Sequence, residues 1–330
     1  MCTDHSGRGI RFALALAILA LLSAAPGLAD DVTFTASTGA GIMYGVVREF
    51  VFGTYQNDSF AKSELDWDLR PLIFTRAALA LKTTGGFAAY LDVRMGIPGK
   101  TGVMDDSDWL NREFNGDPAQ THFSQNDNFT ERAILLDAKI GWDFPLASWM
   151  TFQPFLSFGL MDFKWTARDG YYQYPPQGAA PYTPWSPAQP KLPMSGTNII
   201  YQQTWFLPAI GVEARFRLGQ DFTGSVSFAF SPLVFCNDLD NHELRKYDFY
   251  EYMWGGPLLE PKISLEWHVI ERAWLSLAVS YRHIEGLVGT TYVVVTGAPA
   301  TPGLVNATYH NGAGASFDAL DASLNFALAL

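Results

Sequence analysis

Two short segments carry side chains able to move protons, and they stand far apart in the chain. In Met104-Asp105-Asp106-Ser107-Asp108-Trp109, Asp106 and Asp108 are spaced i, i+2, which in extended backbone projects both carboxylates to one side. Carboxylates held together raise one another's pKa, one way for a site to gain a proton-handling acid. In Asn237-Asp238-Leu239-Asp240-Asn241-His242, Asp240 and His242 repeat that spacing. A carboxylate so placed orients an imidazole and stabilises its charged form. An Asp/Ser cluster is ordinarily a solvated loop, so the first segment gains meaning only if the fold turns the second toward it. The chain would then present a base, its orienter and an acid pair across one gap.

The elements available to do this are strands. Period-2 alternation recurs from end to end. Val212, Ala214, Phe216 and Leu218 alternate with Glu213, Arg215 and Arg217, and Ile263, Leu265, Trp267 and Val269 with Ser264, Glu266 and His268. Leu324, Phe326, Leu328 and Leu330 hold the pattern to the last residue. In a soluble sandwich the polar face would be charged and wet. Here it is rich in Ser, Ala, Gly and Thr with a few charges, as in a narrow barrel lumen. About ten strands are expected, near 32–50, 60–83, 86–98, 130–144, 150–167, 198–219, 221–236, 245–270, 272–290 and 313–330. Such strands exceed the roughly 9–11 residues that cross a bilayer, so the barrel should stand above the membrane on one side.

Short connections at 83–86, 145–147 and 218–221 alternate with long ones at 98–129, 169–197 and 290–311. Seven prolines, from Pro175 to Pro193, make the middle one an irregular excursion. Both proton-handling segments fall on the long-loop side, after the third and the seventh strands, which are facing walls of a ten-strand barrel. The fold class expected is therefore all-β, a ten-stranded antiparallel transmembrane β-barrel with long extracellular loops.

Composition agrees. The chain is 48% hydrophobic and 15% aromatic, but only 17% charged, too little charge to cover an ordinary soluble surface. Residues 1–29 read as a secretory signal, with Arg8 and Arg11 before an apolar run and Gly27-Leu28-Ala29 as a cleavage region. That leaves 30–330 as one barrel domain. No later stretch gives 18 uninterrupted apolar residues, which excludes transmembrane helices. The net charge of −11 argues against nucleic acid and favours cationic ligands. Cys236 would be the mature chain's one cysteine and reads as a packed strand residue. His268 and His283 read as strand packing, His122 and His310 as solvated loop residues. Trp67, Trp142, Trp149 and Trp267 read as membrane-interface girdles.

At the two proton-handling segments the chain resembles the omptin family of outer-membrane proteases. Further matches are Ser63-Glu64-Leu65-Asp66-Trp67, Thr166-Ala167-Arg168-Asp169-Gly170, Asn311-Gly312-Ala313-Gly314, and Gly41 to Glu49 with Gly45 between. They run from the first strand to the last. The resemblance implies an aspartyl-type endopeptidase with its active site facing the cell exterior, working as a monomer without metal, cofactor or covalent intermediate. By the same resemblance Asp240 orients His242, and His242 acts as general base on a water held between it and Asp106. Asp108 completes the acid pair. Glu49 and Asp238 line the pocket for the residue before the scissile bond, and two carboxylates there favour peptide substrates with Arg or Lys. Asp117 corresponds to a further acidic subsite residue.

Lipid is the one place where the chain departs from that family. Omptins generally need lipopolysaccharide, whose phosphates are gripped by basic side chains on the barrel wall. At the positions matching two such arginines stand Asp162 and Thr204, with Lys164 and Arg168 on Asp162's face of the strand. The expectation is activity without lipopolysaccharide or with a different amphiphile from the outer membrane. Two other readings compete: a non-enzymatic barrel, channel or adhesin, and an acyl-chain-handling barrel enzyme. The first would not need Asp-x-His opposite Asp-x-Asp, and the second would want a Ser paired with His242.

Overall fold

Alternating side chains produce strands long enough to carry the site well clear of any bilayer. The computed structural model describes residues 32–176, 178, 180–243, 245–297 and 305–330, and the expected leader, 1–29, lies outside them. Strand β1 (Val32–Tyr55) turns through Gln56-Asn57, both with positive φ, into β2 (Asp58–Thr83). The next stave is β3 (Phe87–Gly96) and β4 (Gly99–Asp108), interrupted at Ile97-Pro98, where proline has no N–H for the ladder. After the short helix α1 (Leu110–Asn115) come β5 (His122–Trp142), the brief β6 (Phe144–Ala147), β7 (Met150–Gln173), the two-residue β8 (Leu192–Pro193) and β9 (Thr197–Leu218).

The seventh stave is β10 (Phe222–Ser231) plus β11 (Val234–His242), and the eighth is β12 (Tyr247–Gly255) plus β13 (Leu258–Ile270). Strands β14 (Ala273–Val295) and β15 (Ala307–Ala329) complete the set, and β15 pairs with β1 to close the sheet. All pairings are antiparallel; the described residues form fifteen strands where ten were expected, because Ile97-Pro98, Pro232-Leu233 and Gly256-Pro257 split three staves and β6 and β8 are short additions. Closure leaves no edge, as lipid requires.

The staves reach higher than their sequence pattern suggested. The connection expected as a loop over 98–129 is mostly β4 and the start of β5, with only Pro98 and 109–121 outside the sheet. Asp106 and Asp108 therefore sit on a strand rather than in a solvated loop. The strand expected over 221–236 breaks at Pro232-Leu233 and continues to His242, and the one over 245–270 breaks at Gly256-Pro257.

Unbroken staves run to 21–26 residues, about twice what a bilayer needs. Phe34, Ile42, Ile73, Leu79, Leu156, Ile210, Val226, Ile263, Leu277 and Leu324 form an exposed apolar band on the outer face, with Trp142, Trp149 and Trp267 among its exposed aromatics. Above the band the outer face becomes ionic: Arg48 pairs with Glu64, Asp66 and Asp318 at 3.7, 3.3 and 2.9 Å. Trp67 does not belong to the girdle; it points inward and is fully buried.

The lumen is filled in two layers. Low in the barrel, Arg94 pairs with Asp92, Asp321 and Asp137, and Arg282 with Asp137 and Glu260 at 3.0 and 2.8 Å. Each charge is matched by opposite ones, without which burial would be prohibitive. Above lies a dry layer of Val47, Leu135, Phe163, Trp165, Trp205, Ile284 and Phe317, all buried. Trp165 stacks on Phe163 at 5.1 Å, and Trp67 on Tyr201 at 5.1 Å. This layer is the floor on which the upper residues stand.

Asp162 faces outward on β7 and is almost fully buried beneath Arg132, whose Nη2 donates to Oδ1 at 3.1 Å and whose Nε is ion-paired with Oδ2 at 2.9 Å. Thr204 is its neighbour across the β7–β9 ladder. Lys164 approaches Glu131 at 3.6 Å, and the Arg168 guanidinium lies 3.6 Å over the Phe129 ring. The cations of this wall are thus engaged within the protein.

Candidate active site

Strand register alone places the acid pair. Asp106 stands opposite Leu65 on β2 and Ser124 on β5, Asp108 opposite Ser63 and His122. Met104, Asp106 and Asp108 share the inner face, and Ser63 Oγ donates to Asp106 Oδ1 at 3.4 Å. Burial first, and then the neighbouring Asp108, hold the Asp106 carboxyl well above the usual carboxylate range. Burial raises Asp108 as well. One proton shared within the pair is the natural result.

The imidazole stands on another wall. In β11, Asp240 lies opposite Tyr201 and Phe249, and His242 opposite Ile199 and Tyr247. His242 Nε2 and Asp240 Oδ2 are 2.6 Å apart. The ring is sandwiched by Tyr247, stacked at 5.2 Å, and Phe249, edge-on at 5.3 Å. Asp240 is 2% exposed, so the pair is fixed by packing and hydrogen bond together, leaving Nδ1 for a water. Asp240's charge also acts on Asp106, which marks the two walls as neighbours across the cleft.

Beneath the dyad lies a nest of acids. Glu49 of β1 and Asp238 of β11 are 1% and 7% exposed. Asp238 accepts from Tyr201 Oη at 2.8 Å, Gln203 Nε2 donates to Tyr201 Oη at 2.5 Å, and Trp205 Nε1 donates to Gln203 Oε1 at 3.0 Å. Burial pushes Asp238 from its usual 3.8 up to about 8, and Asp240 adds to the effect. Glu49 is likewise held high by burial and then by Asp240, Glu251, Asp238 and Asp106. All six residues singled out from the sequence, Asp106, Asp108, Asp240, His242, Glu49 and Asp238, thus meet in one cleft. Asp117 does not join them: it stays in the loop after α1, its carboxylate accepting the Ala119 amide at 3.0 Å.

Sequence reasoning missed several members of the cleft. His122 is not a solvated loop residue; its half-buried ring packs on Tyr174 at 4.9 Å and Tyr182 at 5.1 Å, beside Asp108. Tyr182 is delivered by a clamp, in which Asn111 of α1 exchanges two hydrogen bonds with its backbone, at 2.6 and 2.7 Å. The Pro-rich excursion is pinned to the rim in this way. Arg245, beyond the described end of β11, faces the acid pair and lowers the pKa of both Asp106 and Asp108. Glu251 of β12 completes the acidic nest. Its signal was a charge within the otherwise apolar inward series Tyr247, Phe249, Met253.

The fold and these residues can be set against known proteins. In structure the chain is similar to the outer membrane protease OmpT from Escherichia coli, with TM-score 0.77 and 17% identity over 90% of this chain and 97% of that one. It is also similar to the outer membrane protein OprG from Pseudomonas aeruginosa, with TM-score 0.37 and 9% identity over 91% of this chain and 97% of that one. No curated protein matches it in sequence. The model of the Omptin family matches residues 30–328, nearly the whole described barrel, and the chain belongs to that family.

Proposed function

We propose that the chain is an outer-membrane endopeptidase that cleaves peptide bonds beside basic residues, with its cleft facing the cell exterior. Family membership supports an outer-membrane protease. The observation that carries the finer reading is the oriented imidazole, 2.6 Å from Asp240, across from a buried acid pair. A water between His242 Nδ1 and Asp106 gives its proton to the imidazole as its oxygen bonds to the scissile carbonyl carbon. A carboxylic proton kept within the Asp106–Asp108 pair hydrogen bonds to the carbonyl oxygen as charge develops there. Collapse breaks the C–N bond, and the imidazolium returns its proton to the leaving amine. Asp240 holds the ring and offsets its transient charge. The unpaired acids below supply an anionic recess for a guanidinium or ammonium group. A channel reading has less support, because the lumen beneath is packed with side chains.

Refolded protein should cut a quenched peptide containing Arg-Arg and leave an Ala-Ala analogue largely intact. Failure to cut either peptide would sink the proposal.

Arg245 gives a pH prediction. Its cation lowers the pKa of Asp106, so Arg245→Gln raises that pKa, and Asp106 then loses its charge at higher pH. The acidic limb of the kcat/KM profile should move toward higher pH, and an unmoved limb would remove Arg245 from the electrostatics of the reaction.

A second prediction concerns lipid. With Arg132 spent on the buried Asp162, and Lys164 and Arg168 already engaged, this wall has no uncommitted cation at the place of a phosphate-gripping one. Detergent-refolded protein should be active without lipopolysaccharide. Strict dependence on added lipopolysaccharide would show that another surface binds it.

A further inference from the structure

Glu251 lies opposite Asp238 on the β11–β12 ladder and opposite Thr291 on β14, so its side chain enters the acidic nest from a third wall. It is 1% exposed, as is Glu49. Thr291 Oγ1 donates to its Oε1 at 2.7 Å. Its Oε2, together with Glu49 Oε2 and Asp238 Oδ1, accepts from no donor among the described residues, and no basic side chain pairs with any of the three. Orphaned anionic oxygens at this depth are costly, each forfeiting its hydration for nothing in return. Three of them aimed at one place from β1, β11 and β12 describe an unfilled cation position. The titratable groups facing it are Glu49 from β1, Asp106 from β4, Tyr201 from β9, Cys236, Asp238 and Asp240 from β11, and Glu251 itself from β12.

We propose that Glu251 is a specificity-determining residue, the third carboxyl that encloses the substrate's cationic side chain with Glu49 and Asp238, and that the empty nest holds a proton which leaves for solvent as that cation enters. The inference rests on the basic-residue pocket proposed above and adds to it a residue and an exchange. Glu251 and Asp238 are direct cross-strand neighbours on the β11–β12 ladder, a placement that lets the two carboxyls share the proton of the empty nest. A monocation entering as one proton departs leaves the net charge of the nest unchanged. The pocket can therefore carry three acids at a depth where three bare charges would repel.

The test uses the full-length protein with His242→Ala, which stops cleavage, and an Arg-containing peptide titrated calorimetrically near neutral pH. Repeating the titration in two buffers of different ionisation enthalpy counts the protons released. About one proton should leave with the Arg peptide, and adding Glu251→Gln should cut that count well below one. In the active background Glu251→Gln should raise KM for the Arg peptide about tenfold while kcat stays near wild type. The isosteric amide still accepts from Thr291. Should Glu251→Gln not fold, Glu251→Asp, which keeps the carboxyl, should retain proton release. An unchanged proton count and KM in Glu251→Gln would overturn the assignment. If instead Arg and Ala peptides bind equally in every background, the basic pocket itself fails.

Discussion

His242→Ala should lower kcat by roughly 10²–10⁴-fold, the usual contribution of a positioned general base. That corresponds to about 3–5 kcal/mol of transition-state stabilisation. Asp106→Ala should fall by a similar factor, because it removes the other anchor of the attacking water. Neither change cuts into the packed floor, so both variants should keep the heat resistance of the folded barrel. Cys236→Ser is the control: the thiol is buried beneath the acidic nest, away from the attacking water, and should be dispensable to turnover. Quenched-peptide kinetics on the three proteins decide the matter. Near-wild-type turnover in both His242→Ala and Asp106→Ala would refute the assignment, and a dead Cys236→Ser enzyme would point to a thiol nucleophile.

Neutralising the pocket should change selectivity and stability in opposite directions. In Glu49→Gln and Asp238→Asn each lost charged partner is worth about 1.5–3 kcal/mol to a bound cation, roughly ten- to a hundredfold in kcat/KM for Arg substrates. The empty fold gains, because a buried group with few partners no longer resists ionisation. For Asp238 the sign is explicit. Its pKa is raised from 3.8 to about 8 on folding, so its contribution to stability is present at low pH and is lost as pH rises toward 8. Asp238→Asn should therefore flatten the fall in melting temperature between pH 5 and 8. Wild-type KM for Arg peptides should drop across the same window as Asp238 ionises. A peptide library showing preference for apolar residues before the scissile bond would defeat the pocket reading and leave the catalytic one intact.

The barrel was legible because a lipid-facing wall imposes one physical rule at every second residue. Ile263, Leu265 and Trp267 declared their face without reference to any partner strand. The dyad was legible for a related reason: i, i+2 spacing on one strand fixes a contact locally, as between Asp240 and His242. What stayed hidden depends on register between strands remote in sequence. Ser63 reaches Asp106, and Glu251 reaches Asp238, only through ladders that no single segment encodes. Trp67 was assigned to a girdle by composition, although its own alternation with Ser63, Leu65 and Leu69 places it indoors. The height of the barrel was underestimated because polar strands above the membrane lose the apolar alternation that marks them below it.

The apolar layer beneath the site has an electrical consequence. Trp165, Phe163, Trp205 and Phe317 separate the acids above from the arginines Arg94 and Arg282 below. A slab of low polarisability at the base of an anionic well sends its field lines outward through the mouth, where water carries them toward approaching peptides. Capture of a cationic substrate should then be steered over distances set by the Debye length, about 8 Å at physiological salt. Association would be fastest in dilute medium and would slow as ionic strength rises.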